Sequence, residues 1–111
     1  LLRQAFINML LNAAQAMPSG GMIEITIKQG SSMGAVVTIR DSGIGMNAET
    51  ASRLFEPFYS TKDRGTGLGM SIVASILEAH KVSIQVQSEP GLGTTITLEF
   101  LNAQAEQKVA S

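Results

Sequence analysis

Along the first seventeen residues the apolar positions Leu2, Phe6, Met9, Leu10, Ala13 and Met17 recur at helical intervals. The spacing predicts a helix over Leu1 to Met17, stopped by Pro18-Ser19-Gly20-Gly21. Four later segments switch to a period of two. Ile23, Ile25 and Ile27 alternate with Glu24, Thr26 and Lys28. Val37 and Ile39 lie in a run from Ala35 to Asp41. Val82, Ile84 and Val86 alternate with Ser83, Gln85 and Gln87, and Ile96, Leu98 and Phe100 with Thr95, Thr97 and Glu99. Alternation of this kind predicts strands with one buried and one wet face, as in a largely antiparallel sheet. The helices must then gather on the buried face, so the pattern predicts a two-layer α/β (α+β) sandwich, not a doubly wound sheet.

The connections carry their own signals. Gly30 to Gly34 reads as a hairpin loop, and Glu89-Pro90-Gly91-Leu92-Gly93 as a turn between the last two strands. Asn47 is placed to cap a short helix running to about Leu54, with Glu49 favourable for its dipole. Phe55 to Thr66 shows no period and reads as a long loop, a length that usually has a function or lacks order. Leu68, Ile72, Ile76 and Leu77 define a last helix that begins at about Gly67 and ends near His80. One domain is expected over 1–101, with a polar, alanine-rich tail expected to fray over 102–111. Because the chain opens inside a helical pattern, a piece of a longer protein is expected.

Composition narrows the function classes. With 111 residues, 44% of them hydrophobic, one small core is affordable. A net charge of -1 argues against nucleic acid or an anionic membrane as the main partner. No apolar run approaches the roughly 20 residues of a membrane helix, and no signal peptide opens the chain. The absence of cysteine excludes a disulfide framework and thiolate metal sites, and fits a cytoplasmic setting.

Four groups of residues carry candidate chemistry. On the first helix Gln4, Asn8, Asn12 and Gln15 form an amide stripe where surface helices usually present Lys and Glu. Packing against polar loops would account for it. So would a metal site, since an amide oxygen is a hard, neutral ligand suited to Mg²⁺ that already carries phosphate oxygens and water. Asp41-Ser42-Gly43-Ile44-Gly45 leaves the second strand as either a capped turn or a base pocket. In the second reading the carboxylate accepts from an exocyclic amine. Gly65, Gly67 and Gly69, with Thr66 and Leu68 between them, lead into the last helix behind Lys62 and Arg64. Backbone N–H groups at such a helix start suit a phosphate. Phe55, Pro57, Phe58 and Tyr59 form either a satellite core or a latch. His80, the single histidine, is read as a helix C-terminal residue, and the six methionines as core filler.

Familiar nucleotide signatures are not met. A Walker A loop requires Lys before the Ser of its helix start, and Gly67-Leu68-Gly69-Met70-Ser71 has none. A dinucleotide fingerprint requires a preceding strand and a final two-residue gap, and an irregular loop precedes these glycines.

Taken in order, the segments resemble the catalytic ATP-binding domain of bacterial sensor histidine kinases, a Bergerat fold shared with gyrase B, the heat-shock 90 chaperones and the mismatch-repair ATPases. The resemblance covers Leu1 to about Phe100. Asn8-Met9-Leu10-Leu11-Asn12-Ala13 is similar to the N box, and Asp41-Ser42-Gly43-Ile44-Gly45-Met46 to the first glycine box. Leu54 to Lys62 resembles the F box, Gly65 to Val73 the second glycine box, and Gly91-Leu92-Gly93-Thr94-Thr95 the last. Ala16-Met17-Pro18 and the Phe58-Tyr59-Ser60-Thr61-Lys62 form are most like the nitrogen-regulation and sporulation kinase branch.

The resemblance implies ATP and Mg²⁺ as cofactors. Asp41 would take the adenine amino group, with Gly43 and Gly45 shaping the base pocket and Thr94 nearby, acting through water. Asn12 would ligate the metal and Asn8 support metal and phosphates. Lys62, Gly65, Thr66, Gly67, Leu68 and Gly69 would form the lid and phosphate cradle. Asn8, Asn12 and Lys62 would serve γ-phosphoryl transfer to a histidine, chemistry that depends on positioning and charge neutralisation. The hydrolysing relatives carry a glutamate where this chain has Asn8, and an amide cannot take a proton from water. A kinase is therefore expected ahead of a hydrolysing ATPase or a nucleotide-dependent binding module.

The implied partners are a histidine-bearing dimerisation domain of the same kinase and, indirectly, a response regulator, in a homodimeric parent. The family's N-terminal strand, the acidic residue before the N-box helix and the acceptor histidine have no counterpart in this sequence. Lys81-Val82 stands where the family usually has two glycines, so a φ > 0 requirement there would strain Val82.

Overall fold

A computed structural model of the chain describes residues 1–30, 34–56 and 69–100. The elements are α1 (Leu2–Gln15), β1 (Ile23–Gln29), β2 (Ala35–Asp41), α2 (Ala48–Ser52), α3 (Gly69–Ala79), β3 (Ser83–Glu89) and β4 (Gly93–Glu99). The strands form one sheet in the order β1-β2-β4-β3, and every pairing among the described residues is antiparallel. The two-layer sandwich expected from the alternation is the architecture observed.

The core lies between α1 and α3 on one side and the middle of the sheet on the other. Met9, Val73, Leu77 and Leu98 are its largest fully buried side chains. Val37 and Ile39 of β2 and Ile96 of β4 join them, each facing the helices at the predicted period of two. Phe6 of α1 stacks on Phe100 just past β4, with ring centroids 6.5 Å apart and planes within 5°.

Strand β1 departs from the expectation. Ile25 and Ile27 are 51% and 71% exposed, although their alternation matches that of the buried strands. The physical reason is position in the sheet. β1 is an edge strand, and the buried side chains of α1 and α3 cluster with those of β2 and β4. Period two fixes which face a residue takes, and a covering helix decides whether that face is dry.

The short elements obey local rules. Asn47 Oδ1 accepts the Thr50 N–H at 2.8 Å, the predicted cap, and α2 ends at Ser52, two residues short of the expected Leu54. After α3, Lys81 adopts φ 57°, Lys81 N–H donates to Glu78 O at 3.1 Å and Val82 N–H to Leu77 O at 2.9 Å. That pair of bonds is a Schellman cap, with Val82 buried alongside Leu77. The left-handed residue is therefore Lys81, and Val82 escapes the strain anticipated for it. The expected hairpin tip, most of the long loop and the C-terminal tail fall largely outside the described residues.

Candidate nucleotide site

Asp41 ends β2 and Thr94 lies directly opposite it on β4, while Ser88 of β3 faces Thr94 from the other side. All three share the parity of the buried residues of their strands, so they form one rung across the helix-facing side of the sheet. Asp41 and Thr94 are buried polar residues, at 6% and 7% exposure. Such groups must be hydrogen-bonded to be tolerated. Asp41 Oδ1 accepts the Gly43 N–H at 2.9 Å and the Thr94 N–H at 3.2 Å. No buried side-chain nitrogen or oxygen among the described residues lacks a partner. The two bonds hold the carboxylate in one orientation and leave Oδ2 to accept from a ligand.

Two chain segments close on this rung. The loop after β2 is tied to the end of α1 by Ile44 N–H donating to Ala16 O at 3.1 Å. It is tied to the β3–β4 turn by Gly91 N–H donating to Ile44 O at 2.7 Å, and to the end of β3 by Met46 N–H donating to Ser88 Oγ at 2.7 Å. The glycines answer to this crowding. A Cβ on Gly45, which sits at φ 70°, would overlap the Glu89 carbonyl oxygen. On Gly93, at φ 85°, it would overlap the carbonyl oxygen of Asp41 itself. Gly43 is bounded by Ala16 and by Asp41 Oδ1. Gly43 and Gly45 thus allow three segments to meet.

Helix α1 extends the site away from the carboxylate rung. Ala16, Asn12 and Asn8 recur every fourth residue on one flank, so Asn12 lies about 6 Å and Asn8 about 12 Å back along the axis from Ala16. Asn8 Nδ2 donates to Gly69 O at 3.4 Å, which joins the amide stripe to the start of α3. Among the described residues a Cβ on Gly69 would meet nothing within 4 Å, so their packing does not demand glycine there. The carboxylate rung, the two amides and the α3 start therefore succeed one another along one side of α1.

Among the described residues no group of three or more His, Cys, Asp or Glu is placed to hold a metal. A metal here would rest on the neutral Asn12 amide together with ligand oxygens and water, a donor set that fits Mg²⁺ delivered with phosphates. Lys62, Gly65, Thr66, Gly67 and Leu68 lie outside the described residues. His80 Nδ1 contacts Ile76 O at 2.8 Å at the end of α3, as expected of a helix-terminal histidine. An open depression of about 300 Å³ lined by Met22, Glu24, Arg40, Asp41, Ser42 and Leu92 adjoins the rung at Asp41. Its cross-strand pair Glu24–Arg40 belongs to the face of the sheet opposite the rung.

Sequence reasoning passed over Ser88, which contacts three groups in the site. Its signal was parity. Val82, Ile84 and Val86 point inward, and the next residue in that series is Ser88.

A sheet with helices on one face and a fixed carboxylate at the end of an inner strand define a class. The chain belongs to the histidine kinase-, DNA gyrase B- and HSP90-like ATPase family, whose model matches residues 1–104. It is 48% identical over 108 residues to sporulation kinase E of Bacillus subtilis (strain 168), covering 96% of this chain and 15% of that protein. It is 40% identical over 110 residues to the signal transduction histidine-protein kinase AtoS of Escherichia coli (strain K12), covering 98% and 18%. The chain thus spans less than a fifth of these relatives.

Among solved structures, the mycobacterial sensor histidine kinase MprB superposes with a TM-score of 0.78 at 29% identity, covering 87% of this chain and 67% of that one. Full-length ShkA in complex with AMPPNP superposes with a TM-score of 0.79 at 28% identity, covering 89% and 21%. The fold is that of histidine kinase catalytic domains, and the relatives include sporulation kinases, in keeping with the branch expected from the boxes. Among the described residues no helix is long and apolar enough to cross a membrane.

Proposed function

We propose that this chain is the ATP-binding catalytic unit of a sensor histidine kinase. It binds Mg-ATP and donates the γ-phosphoryl group to a histidine on a separate dimerisation domain of the same homodimeric kinase, from which a response regulator is served. The observation that carries the reading is the Asp41 carboxylate. Its Oδ1 is fixed by two backbone N–H groups and its Oδ2 is left to accept from the amino group of a base.

The order of groups along α1 supports the rest. With the base at Asp41 and Thr94, the phosphates extend past Asn12 toward Asn8 and the start of α3. Asn12 would hold Mg²⁺, which neutralises phosphate charge, and Asn8 would support metal and phosphates. Lys62 and Gly65 to Gly69 would supply the lid and cradle. The similarity to a kinase whose structure was determined with AMPPNP agrees with nucleotide binding on this fold. Asn8 favours transfer over hydrolysis, because its amide cannot act as a base toward water, whereas a neutral imidazole is already a nucleophile. A cytoplasmic site of action belongs to the same reading.

The experiment is phosphate transfer. Mixed with Mg-ATP and a histidine-bearing dimerisation domain of a sporulation-type kinase, the chain is expected to label that domain while releasing little phosphate alone. Rapid phosphate release without an acceptor would favour a hydrolysing ATPase. Nucleotide binding without transfer, in the full-length kinase as well, would favour a binding module.

A further inference from the structure

Ser88 Oγ contacts three groups: Met46 N at 2.7 Å, Gly93 O at 3.0 Å and Thr94 Oγ1 at 2.8 Å. A serine hydroxyl has one proton to donate and two lone pairs to accept with. Met46 N–H can only donate, so it occupies one lone pair. Gly93 O can only accept, so it takes the serine proton. One arrangement then satisfies the third contact, with Thr94 O–H donating to the remaining lone pair of Ser88. The Thr94 proton is committed to Ser88, and Thr94 Oγ1 can act toward the pocket only as an acceptor.

We propose that Ser88 is a specificity-determining residue, which sets the hydrogen-bond polarity of the base pocket by holding the proton of Thr94 away from it. The proposal rests on the nucleotide-site reading above. Asp41 and Thr94 are cross-strand partners on the same face, and with Ser88 in place both present acceptors. An exocyclic amine carries two N–H donors and matches such a pair. A base with a carbonyl at that position would set oxygen against oxygen, which leaves buried polar groups unpaired and is penalised accordingly. Without Ser88, the Thr94 hydroxyl can turn and donate, and the pocket loses part of its discrimination. Ser88 touches no ligand atom in this scheme; it acts through Thr94.

The test is the ratio of Mg-ATP to Mg-GTP dissociation constants, measured by titration calorimetry on the chain and its variants. The unaltered chain is expected to prefer ATP. Ser88→Ala should narrow the preference by roughly tenfold, the scale of one hydrogen bond's polarity. Ser88→Thr, which keeps the hydroxyl, should restore it. In a Thr94→Val background Ser88→Ala should leave the ratio unchanged.

If Ser88→Ala does not fold, Ser88→Cys keeps the bulk while weakening the hydrogen bonds, and should narrow the preference in the same direction. Equal loss of ATP and GTP affinity with an unchanged ratio would mean that Ser88 only braces the turn, and would overturn the proposal while leaving the ATP site intact. No binding of either nucleotide by the unaltered chain would overturn both.

Discussion

Asp41 and Thr94 face each other across the β2–β4 ladder, and the carboxylate of the first accepts the backbone N–H of the second at 3.2 Å. The contact ties residues 53 positions apart in the chain. It also makes the geometry around the carboxylate depend on the register of two strands. Gly93, the neighbour of Thr94, has to be glycine for the two backbones to come this close.

The glycines of the site separate into two kinds that respond differently to alanine. Gly45→Ala places a Cβ against the Glu89 carbonyl in a left-handed conformation and is expected to cost at least about 2 kcal/mol. In a domain of this size that lowers the melting temperature by roughly 8 °C or more. Gly69→Ala meets no atom of the described residues at a helix start, so stability is expected to hold or to rise by up to about 1 kcal/mol. Its Mg-ATP affinity should nevertheless fall, because a phosphate drawn to those N–H groups would meet the new methyl. Thermal melts paired with nucleotide titration check both halves.

The Schellman cap of α3 makes a prediction remote from the site. Lys81→Gly removes the left-handed penalty and should stabilise the chain by about 0.5–1 kcal/mol, a gain of a few degrees in melting temperature. Val82→Gly should do the opposite, by at least about 2 kcal/mol, since it deletes a buried side chain that packs with Leu77. Nucleotide affinity should be unaffected by Lys81→Gly.

Much of this architecture is legible in the sequence because period and capping are local properties. The four strands fall where the alternation places them, and Asn47 caps the helix it precedes. The exposure of Ile25 and Ile27 was not legible, because it depends on which strand lies at the edge and where the helices settle. At the site, Asp41 and the amides of α1 stood out as polar residues in unusual company. Ser88 did not, since a serine before a turn looks ordinary until strand pairing sets it against Thr94. The crowding at Gly45 and Gly93 was hidden for the same reason: the atoms that forbid a Cβ come from Glu89 and Asp41.

Metal dependence should reside in Asn12. ATP is expected to bind more tightly to the unaltered chain with Mg²⁺ than with a chelator present. Asn12→Ala should erase most of that difference, on the order of tenfold, the scale of losing a group that supports a bound metal. Asn8→Ala removes one long, exposed contact to Gly69 and should change stability by less than about 0.5 kcal/mol. An undiminished Mg²⁺ effect in Asn12→Ala would remove that residue from the metal site.

The central claim is that Asp41 receives the amino group of ATP's base, and Asp41→Asn tests it with one side-chain atom exchanged. The amide can keep one oxygen toward Gly43 and Thr94, while its NH₂ then confronts the base amine, donor against donor. Titration of Mg-ATP into the folded variant should show binding weakened by about 1–3 kcal/mol, with the melting temperature largely retained. Unchanged affinity in a folded Asp41→Asn chain would contradict the account.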